Sequence, residues 1–137
     1  MKVKDIMTHS VCCLSPEMTI ENASKLMRGA DIGAVPVCGD DGLLGILTDR
    51  DIVTRAVAGG RGVETKVAEV MTQHVCCVSP DANVHDAALL MSEHQVRRLP
   101  VVKDGAIVGI LTVGDMARAG RCDAEFAVAE KGIVADR

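Results

Sequence analysis

The sequence predicts an α/β (α+β) fold made of two βαββα repeats that pack sheet to sheet about a pseudo-two-fold axis. An internal repeat predicts the two copies, because a shift of 64 residues aligns residues 3–56 with residues 67–120 without a gap. Short apolar runs that alternate with helical periodicity predict the mixed elements of each copy. One copy buries too little apolar surface to be stable alone, so the two copies are expected to share a core.

The repeat sets the predicted domain boundaries. Residues 1–60 form the first repeat with the start of a linker, residues 61–120 form the second repeat, and residues 121–137 form a C-terminal tail. The tail is predicted to pack as a short helix through its apolar residues, Phe126, Val128 and Ile133.

Each repeat is predicted to begin with a short strand and a helix. The strand is SVCCLS at 10–15, bounded by Ser-Pro, and it recurs with little change at 74–79. The helix TIENASKLMRGA at 19–30 follows, and its counterpart is VHDAALLMSEH at 84–94. One face of the first helix carries apolar residues at helical spacing, namely Ile20, Ala23, Met27 and Ala30.

A hairpin and a second helix complete each repeat. The strands IGAVPVC and LLGILT flank the turn GDDG, and the strands VRRLPVV and AIVGILT flank the turn KDG. The closing helices are DRDIVTRAVA at 49–58 and GDMARAG at 114–120. Pro36 and Pro100 cannot donate to a sheet ladder, so each is expected at an edge or an irregular point.

The paired cysteines Cys12-Cys13 and Cys76-Cys77 recur because the whole repeat recurs. On a strand their side chains would point to opposite faces, which disfavours joint metal binding, so we predict no metal site and reduced, buried thiols. Cys13 and Cys38 should lie on strands of the same repeat, and Val102 replaces the second of them in the other repeat. The sequence leaves open whether they form a disulfide.

Composition excludes several classes of function. The formal net charge is −4 with no basic block, and the chain has one Phe and no Trp or Tyr, which disfavours a nucleic-acid partner. No apolar run approaches a membrane span and the first residues lack a secretory signal, so we expect a soluble cytoplasmic protein. No catalytic motif with recognisable spacing is present, which predicts that the protein is not an enzyme.

The most informative motif is Gly-Ile-Leu-Thr-x-x-Asp, present as GILTDRD at 45–51 and GILTVGD at 109–115. Thr followed three residues later by Asp is a capping box, which satisfies free N–H groups at a helix start. The same groups could hydrogen-bond a vicinal diol, and the helix N-terminus favours a phosphate. Capping does not account for the glycine in both copies, so we favour a ligand site.

These segments together resemble the CBS domain family, and the pair resembles a Bateman module. The resemblance rests on DIMT and EVMT, the strand-Ser-Pro segments, IGAVPV and VRRLPV, and the two GILT blocks, and it covers nearly the whole chain. It implies a regulatory module that binds an adenosine-containing ligand such as AMP, ADP, ATP, NAD or S-adenosylmethionine. It also implies a homodimer and an effector protein that receives the signal.

The resemblance further implies two clefts, each shared between the repeats. In one, Thr112 and Asp115 would hold ribose and phosphate while residues of the first repeat line the adenine. In the other, Thr48 and Asp51 would hold the ribose. The lining residues of the first cleft are Cys12, Ile32 and Gly33; those facing the base in the second are Cys76 and Val96; Pro36 and Pro100 shape the floors.

The second repeat has Arg97-Arg98 where the first has Gly33-Ala34. In the family, basic residues there reach a ligand phosphate, so the Asp115 cleft is predicted to bind phosphorylated nucleotides more tightly. Surface solvation of both arginines is the alternative. Two other functions also stay open: a redox-responsive protein using Cys12, Cys13, Cys76 and Cys77, or a dimerisation module without a ligand.

Overall fold

The structure is a computed structural model that describes residues 1–9, 11–120, 127 and 129. A 3-10 turn spans Val3–Asp5. The other elements, in chain order, are α1 (Ile20–Ala30), β1 (Ala34–Gly39), β2 (Gly42–Thr48), α2 (Asp49–Asp51, continued as a π-helix over Ile52–Val57), α3 (Val67–Val70), α4 (Val84–His94), β3 (Arg98–Lys103), β4 (Ala106–Thr112) and α5 (Val113–Ala119). The mixed α+β fold predicted from the sequence is confirmed.

The two long helices lie where their apolar spacing predicts them. Thr19 caps α1 by accepting a hydrogen bond from the Asn22 N–H at 3.2 Å, and Asn83 caps α4 in the same way. Both helices end at a residue in the left-handed conformation, Asp31 and Gln95. The buried face of α1 consists of Ile20, Ala23 and Met27. Ala30 was predicted on that face but is exposed, because it is the last residue of the helix.

Each predicted hairpin is a two-stranded antiparallel sheet. A bulge interrupts each register at the same place, between Val37 and Cys38 in one sheet and between Val101 and Val102 in the other. Pro36 and Pro100 stand opposite Ile46 and Ile110 in the register, and on their other side their carbonyls accept hydrogen bonds from the Leu14 and Val78 N–H groups. Since the nitrogen and the carbonyl of a strand residue point to the same side, each proline nitrogen faces the single bridge and not the paired strand, and the bulge follows one residue later. The expected irregular point is therefore confirmed.

The strand predicted before each Ser-Pro is wrong. Among the described residues of these two segments, only Leu14 and Val78 make a ladder contact, as single parallel bridges to Val37 and Val101. The cysteines beside them are therefore not strand residues, and the prediction of buried thiols is wrong for most of them. Cys12, Cys13 and Cys77 are exposed, whereas Cys38 and Cys76 are half-buried.

The chain forms two compact units, and in them the two sequence repeats have exchanged their opening segments, residues 1–11 and 65–75. The central unit is Cys12–Val75, and the terminal unit joins Met1–Val11 to Cys76–Arg137. The start of each sequence repeat thus folds with the body of the other repeat. The predicted boundaries at 60 and 120 follow the sequence repeat and stay a prediction of where the repeats divide.

Equivalent hydrogen bonds hold the exchanged segment in each unit. In the terminal unit the Val3 N–H donates to the Ala82 carbonyl at 2.9 Å, and Thr8 exchanges two backbone bonds with Ile110. In the central unit the Val67 N–H donates to the Met18 carbonyl at 2.8 Å, and Thr72 exchanges two bonds with Ile46. Each residue of one set corresponds to a residue of the other set at the repeat offset of 64 residues. Both repeats therefore make the same exchange.

Truncating either exchanged valine should loosen the unit that receives it. Val3 and Val67 are fully buried, each in the core of its own unit. Val3→Ala should cost about 1–3 kcal/mol through lost burial and a residual cavity, and Val67→Ala should cost a similar amount. Amide hydrogen exchange should show lost protection in β4 for the first variant and in β2 for the second. Loss in the opposite hairpins would contradict the exchange.

The predicted tail helix contacts, Phe126, Val128 and Ile133, lie outside the described residues. Of the tail the structure describes Ala127 and Ala129, and Ala129 is buried in the core of the terminal unit. Among the described residues, none of the helices combines the length and apolarity that crossing a bilayer requires.

Candidate functional site

The two GILT blocks end in capping boxes at the junction of a strand and a helix. The Thr48 N–H donates to Asp51 Oδ2 at 3.0 Å, and the Asp51 N–H donates to Thr48 Oγ1 at 3.0 Å. The Thr112 N–H donates to Asp115 Oδ2 at 2.9 Å, and the Asp115 N–H donates to Thr112 Oγ1 at 3.0 Å. The capping alternative is therefore confirmed in both copies.

The exchanged segment adds a third partner to each carboxylate. Thr72 Oγ1 lies 3.3 Å from both oxygens of Asp51, and Thr8 Oγ1 lies 3.3 Å from Asp115 Oδ1. These threonines end the EVMT and DIMT segments. Each site thus gathers two hydroxyls and one carboxylate, supplied by two stretches of chain that are remote in sequence.

An arginine on the following helix completes each cluster. Arg118 Nη2 pairs with Asp115 Oδ1, and the Arg118 side chain is largely exposed. Arg55 Nε lies 3.8 Å from Asp51 Oδ1, while its Nη1 donates to the carbonyls of Val70 and Met71. Arg55 is therefore tied to the exchanged segment as well as to the carboxylate.

The glycine of each GILT block makes room for the exchanged segment. A Cβ on Gly45 would lie 2.3 Å from the Thr72 carbonyl oxygen, closer than any real contact. A Cβ on Gly109 would lie 2.6 Å from Met7 Sδ and 2.8 Å from the Thr8 carbonyl oxygen. Close backbone approach thus explains the repeated glycine without a ligand, so the glycine is not evidence for a ligand site, and the site itself stays a prediction.

The carboxylates of Asp51 and Asp115 are buried, but the hydrogen bonds described for them do not use all of their acceptor capacity. Asp51 is 7% exposed and Asp115 is 6% exposed. An ionised carboxylate can accept about four hydrogen bonds. Asp115 has three donors in the described structure, and the single Thr72 hydroxyl proton reaches only one oxygen of Asp51 at a time. A further donor, such as a hydroxyl, can therefore be accepted by either residue.

The structure distributes the predicted site residues between the two units. The central unit contains Cys12, Ile32, Gly33, Pro36, Thr48 and Asp51, and the terminal unit contains Cys76, Val96, Arg97, Arg98, Pro100, Thr112 and Asp115. Ile32 is exposed at 38%, whereas Pro36 and Pro100 are buried. The predicted combinations across the repeats join residues of different units, and they stay a prediction.

Arg97 and Arg98 lie beside the Asp115 capping box through backbone contacts within the terminal unit. The Val113 N–H donates to the Arg97 carbonyl at 3.0 Å, and Arg98 stands opposite Thr112 in the sheet register. In the central unit the Asp49 N–H makes the same bond to the Gly33 carbonyl at 2.9 Å. The backbone beside the two boxes is thus equivalent, and it carries Arg97 and Arg98 in the terminal unit where the central unit has Gly33 and Ala34.

Four residues around the carboxylates were not predicted from the sequence: Thr8, Thr72, Arg55 and Arg118. A signal existed for the threonines, because they are identical at the repeat offset. A signal also existed for the arginines, because Arg55 follows Asp51 by four residues and Arg118 follows Asp115 by three. At these spacings the two side chains lie on one face of a helix.

No group of three or more His, Cys, Asp or Glu residues that could hold a metal is present within residues 1–9, 11–120, 127 and 129. The pKa of the Cys76 thiol is raised, chiefly by burial and further by the neighbouring Cys77 and Glu93. A raised thiol pKa disfavours the thiolate that metal binding and redox attack both require.

Two copies of a helix-and-hairpin unit, each with a buried aspartate in a capping box, define a tandem-repeat protein of small α+β modules. The chain belongs to the CBS domain family, whose model matches residues 3–58 and 67–121. It is 45% identical over 115 residues to the CBS domain-containing protein YhcV of Bacillus subtilis, covering 84% of this chain and 82% of that protein.

Solved structures have the same fold. Hypoxic Response Protein I, crystallised with two coordinated zinc ions, is 41% identical with a TM-score of 0.80, covering 86% of this chain and 98% of that one. CBSX2 in complex with AMP is 30% identical with a TM-score of 0.77. The CBS domain pair of MJ0100, in complex with 5-methylthioadenosine and S-adenosylmethionine, is 29% identical with a TM-score of 0.77. Each of these two alignments covers 88% of this chain and 96% of the other.

Proposed function

We propose that this protein is a regulatory module that binds an adenosine-containing ligand at the Thr-x-x-Asp boxes and signals its occupancy to a partner. The main support is that two structural relatives, CBSX2 and the MJ0100 domain pair, were solved with AMP and with S-adenosylmethionine and 5-methylthioadenosine. Those ligands share an adenosine-like moiety and differ in what is attached to it. The shared moiety is therefore the part that we assign to this family of sites.

The chemistry of the boxes suits a ribose. A vicinal diol offers two O–H donors, and each buried aspartate retains acceptor capacity beside a threonine hydroxyl. A hydrogen bond to a buried carboxylate is worth about 1.5–3 kcal/mol, more than one to a neutral group. Asp51 and Asp115 are thus the residues on which affinity should depend most.

The base would rest on aliphatic and thiol side chains, because the chain has almost no aromatic residues. We retain the predicted arrangement, in which Cys12, Ile32 and Gly33 serve the Asp115 site and Cys76 and Val96 serve the Asp51 site. The proposal also includes a homodimer, an effector protein and a cytoplasmic location.

Arg97 and Arg98, whose backbone adjoins the Asp115 capping box, should distinguish phosphorylated ligands. Arg98→Ala should weaken AMP binding by roughly 10- to 100-fold while leaving adenosine nearly unchanged, because only AMP carries a phosphate for the guanidinium to meet. Isothermal titration of both ligands measures the difference. Lys103→Ala removes a cation from the far end of the same strand and serves as the control. Equal losses for both ligands would contradict a phosphate contact.

A melting screen tests the proposal as a whole. AMP, ADP, ATP, NAD and S-adenosylmethionine are added in turn, and a ligand at 100 times its dissociation constant should stabilise the protein by about 2.7 kcal/mol. A stabilisation that Asp51→Asn and Asp115→Asn together abolish would support the proposal. Unchanged melting with every ligand would instead favour a module that only dimerises.

A further inference from the structure

Two thiols of the central unit lie in direct contact. The Cys38 thiol donates to Cys13 Sγ, with 3.2 Å between the sulfur atoms. Cys13 is exposed and Cys38 is half-buried, so solvent reaches the pair from the Cys13 side. The hydrogen bonds described above for the two aspartate boxes do not involve these two residues.

The backbone fixes this contact. The Leu14 N–H donates to the Pro36 carbonyl at 2.8 Å, and the Cys38 N–H donates to the Leu14 carbonyl at 2.9 Å. Leu14 and Val37 are both buried in the core of the unit. Because neighbouring side chains on extended backbone alternate in direction, Cys13 and Cys38 both point away from that core.

We propose that Cys13 and Cys38 form a reversible disulfide within the central unit when an oxidised low-molecular-weight thiol is available. The two sulfurs must approach from 3.2 Å to a bonded distance of about 2.05 Å. That approach is a short side-chain movement, since the ladder around Leu14 already brings the two backbones together.

The reaction is a two-step thiol–disulfide exchange. The Cys13 thiolate attacks one sulfur of an external disulfide, forms a mixed disulfide and releases one external thiol. The Cys38 thiolate then attacks Cys13 Sγ, forms the protein disulfide and releases the second external thiol. Two protein thiols lose two electrons and two protons, and the external disulfide gains both.

The environment of Cys38 agrees with this order of attack. The pKa of Cys38 is raised to about 12, first by burial, then by its hydrogen bond to Cys13 and the charge of Cys13. Cys38 is therefore a poor first nucleophile at neutral pH. Burial still raises the Cys38 pKa once Cys13 is in a mixed disulfide, but the contributions of the Cys13 hydrogen bond and charge disappear, so the Cys38 thiol ionises more readily in the second step than in the reduced protein.

The terminal unit supplies an internal control. Its backbone has the same ladder, with the Val78 N–H donating to the Pro100 carbonyl at 3.0 Å and the Val102 N–H donating to the Val78 carbonyl at 2.9 Å. Cys77 stands where Cys13 stands, but Val102 replaces the second thiol. Val102→Cys should therefore create a second pair of thiols in the same geometry.

The test treats the reduced full-length protein with oxidised glutathione and counts thiols after denaturation. The wild type should lose two of its six thiols, Cys12→Ser and Cys77→Ser should still lose two, and Cys13→Ser and Cys38→Ser should form no internal disulfide. Val102→Cys should lose four. The oxidised wild type should melt higher than the reduced form by about 5–10 °C, because the bond constrains the unfolded chain.

Peptide mapping decides the outcome. An internal bond between the peptides that carry Cys13 and Cys38 supports the proposal. Disulfides mainly between chains, a bond that survives Cys13→Ser, or no second bond in Val102→Cys would overturn it. Zinc retained on the purified protein at one equivalent, and protecting both thiols from oxidation, would also overturn it by making the pair a metal site.

Discussion

Replacing Gly45 with alanine should destabilise the protein by about 3 kcal/mol. The added Cβ would lie 2.3 Å from the Thr72 carbonyl oxygen, and that oxygen belongs to a backbone bridge with Ile46. A backbone atom cannot move aside without breaking the bridge and displacing the exchanged segment from the central unit. Urea or thermal unfolding should show a lower midpoint with an unchanged denaturant slope.

Alanine substitutions at two other glycines provide comparisons for Gly45→Ala. Gly109→Ala should destabilise less than Gly45→Ala, because its nearest neighbour is the flexible end of Met7 and the Thr8 carbonyl lies slightly farther away at 2.8 Å. Gly29→Ala should stabilise by roughly 0.5–1 kcal/mol, since Gly29 lies in α1 with nothing within 4 Å of an added Cβ. Equal stability of Gly45→Ala and Gly29→Ala would refute the packing role of the GILT glycine.

Replacing Asp115 with asparagine should weaken binding of AMP or adenosine at that site by at least tenfold. Asparagine keeps an oxygen that can accept the Thr112 N–H, so the start of α5 should remain capped. It removes the charge that pairs with Arg118 and that would strengthen a bond from a ribose hydroxyl. Calorimetric titration measures the affinity, and a melting curve without ligand confirms that the variant is folded.

A charge-matched control is available in the same unit. Asp104→Asn makes the same change of net charge in the exposed turn between β3 and β4, where φ is 53° and asparagine is well tolerated. It should bind as the wild type does. If both Asp115→Asn and Asp51→Asn also bind like the wild type, the carboxylates serve only to cap their helices, and the proposed function fails.

Local signals predicted the regular elements well. The helix α4 spans Val84–His94 as its sequence pattern indicates, and both hairpins lie where apolar strands flank a turn rich in Gly and Asp. These features depend on residues a few positions apart. The Thr-x-x-Asp box is of the same kind, and for that reason its capping geometry could be expected from four residues of sequence.

Features that depend on distant residues were predicted poorly. The segment around Cys12 has the composition of a strand, yet it meets β1 only at Leu14 and leaves Cys12 and Cys13 exposed. The repeated glycine suggested ligand chemistry, but its neighbour in space is a carbonyl that lies 27 residues away for Gly45 and 101 residues away for Gly109. Composition alone could not identify either neighbour.

The sequence by itself determined the duplication, the family, the α+β elements and the capping boxes, because identities at a fixed offset and short-range periodicity suffice for these. Only the tertiary structure showed that the opening segment of each repeat packs with the rest of the other repeat. It also showed that Thr8 and Thr72 contact the aspartates and that Cys13 contacts Cys38. The physical reason is that packing brings together residues that are far apart in the chain. A local sequence pattern does not specify which distant backbone segment will contact a given side chain.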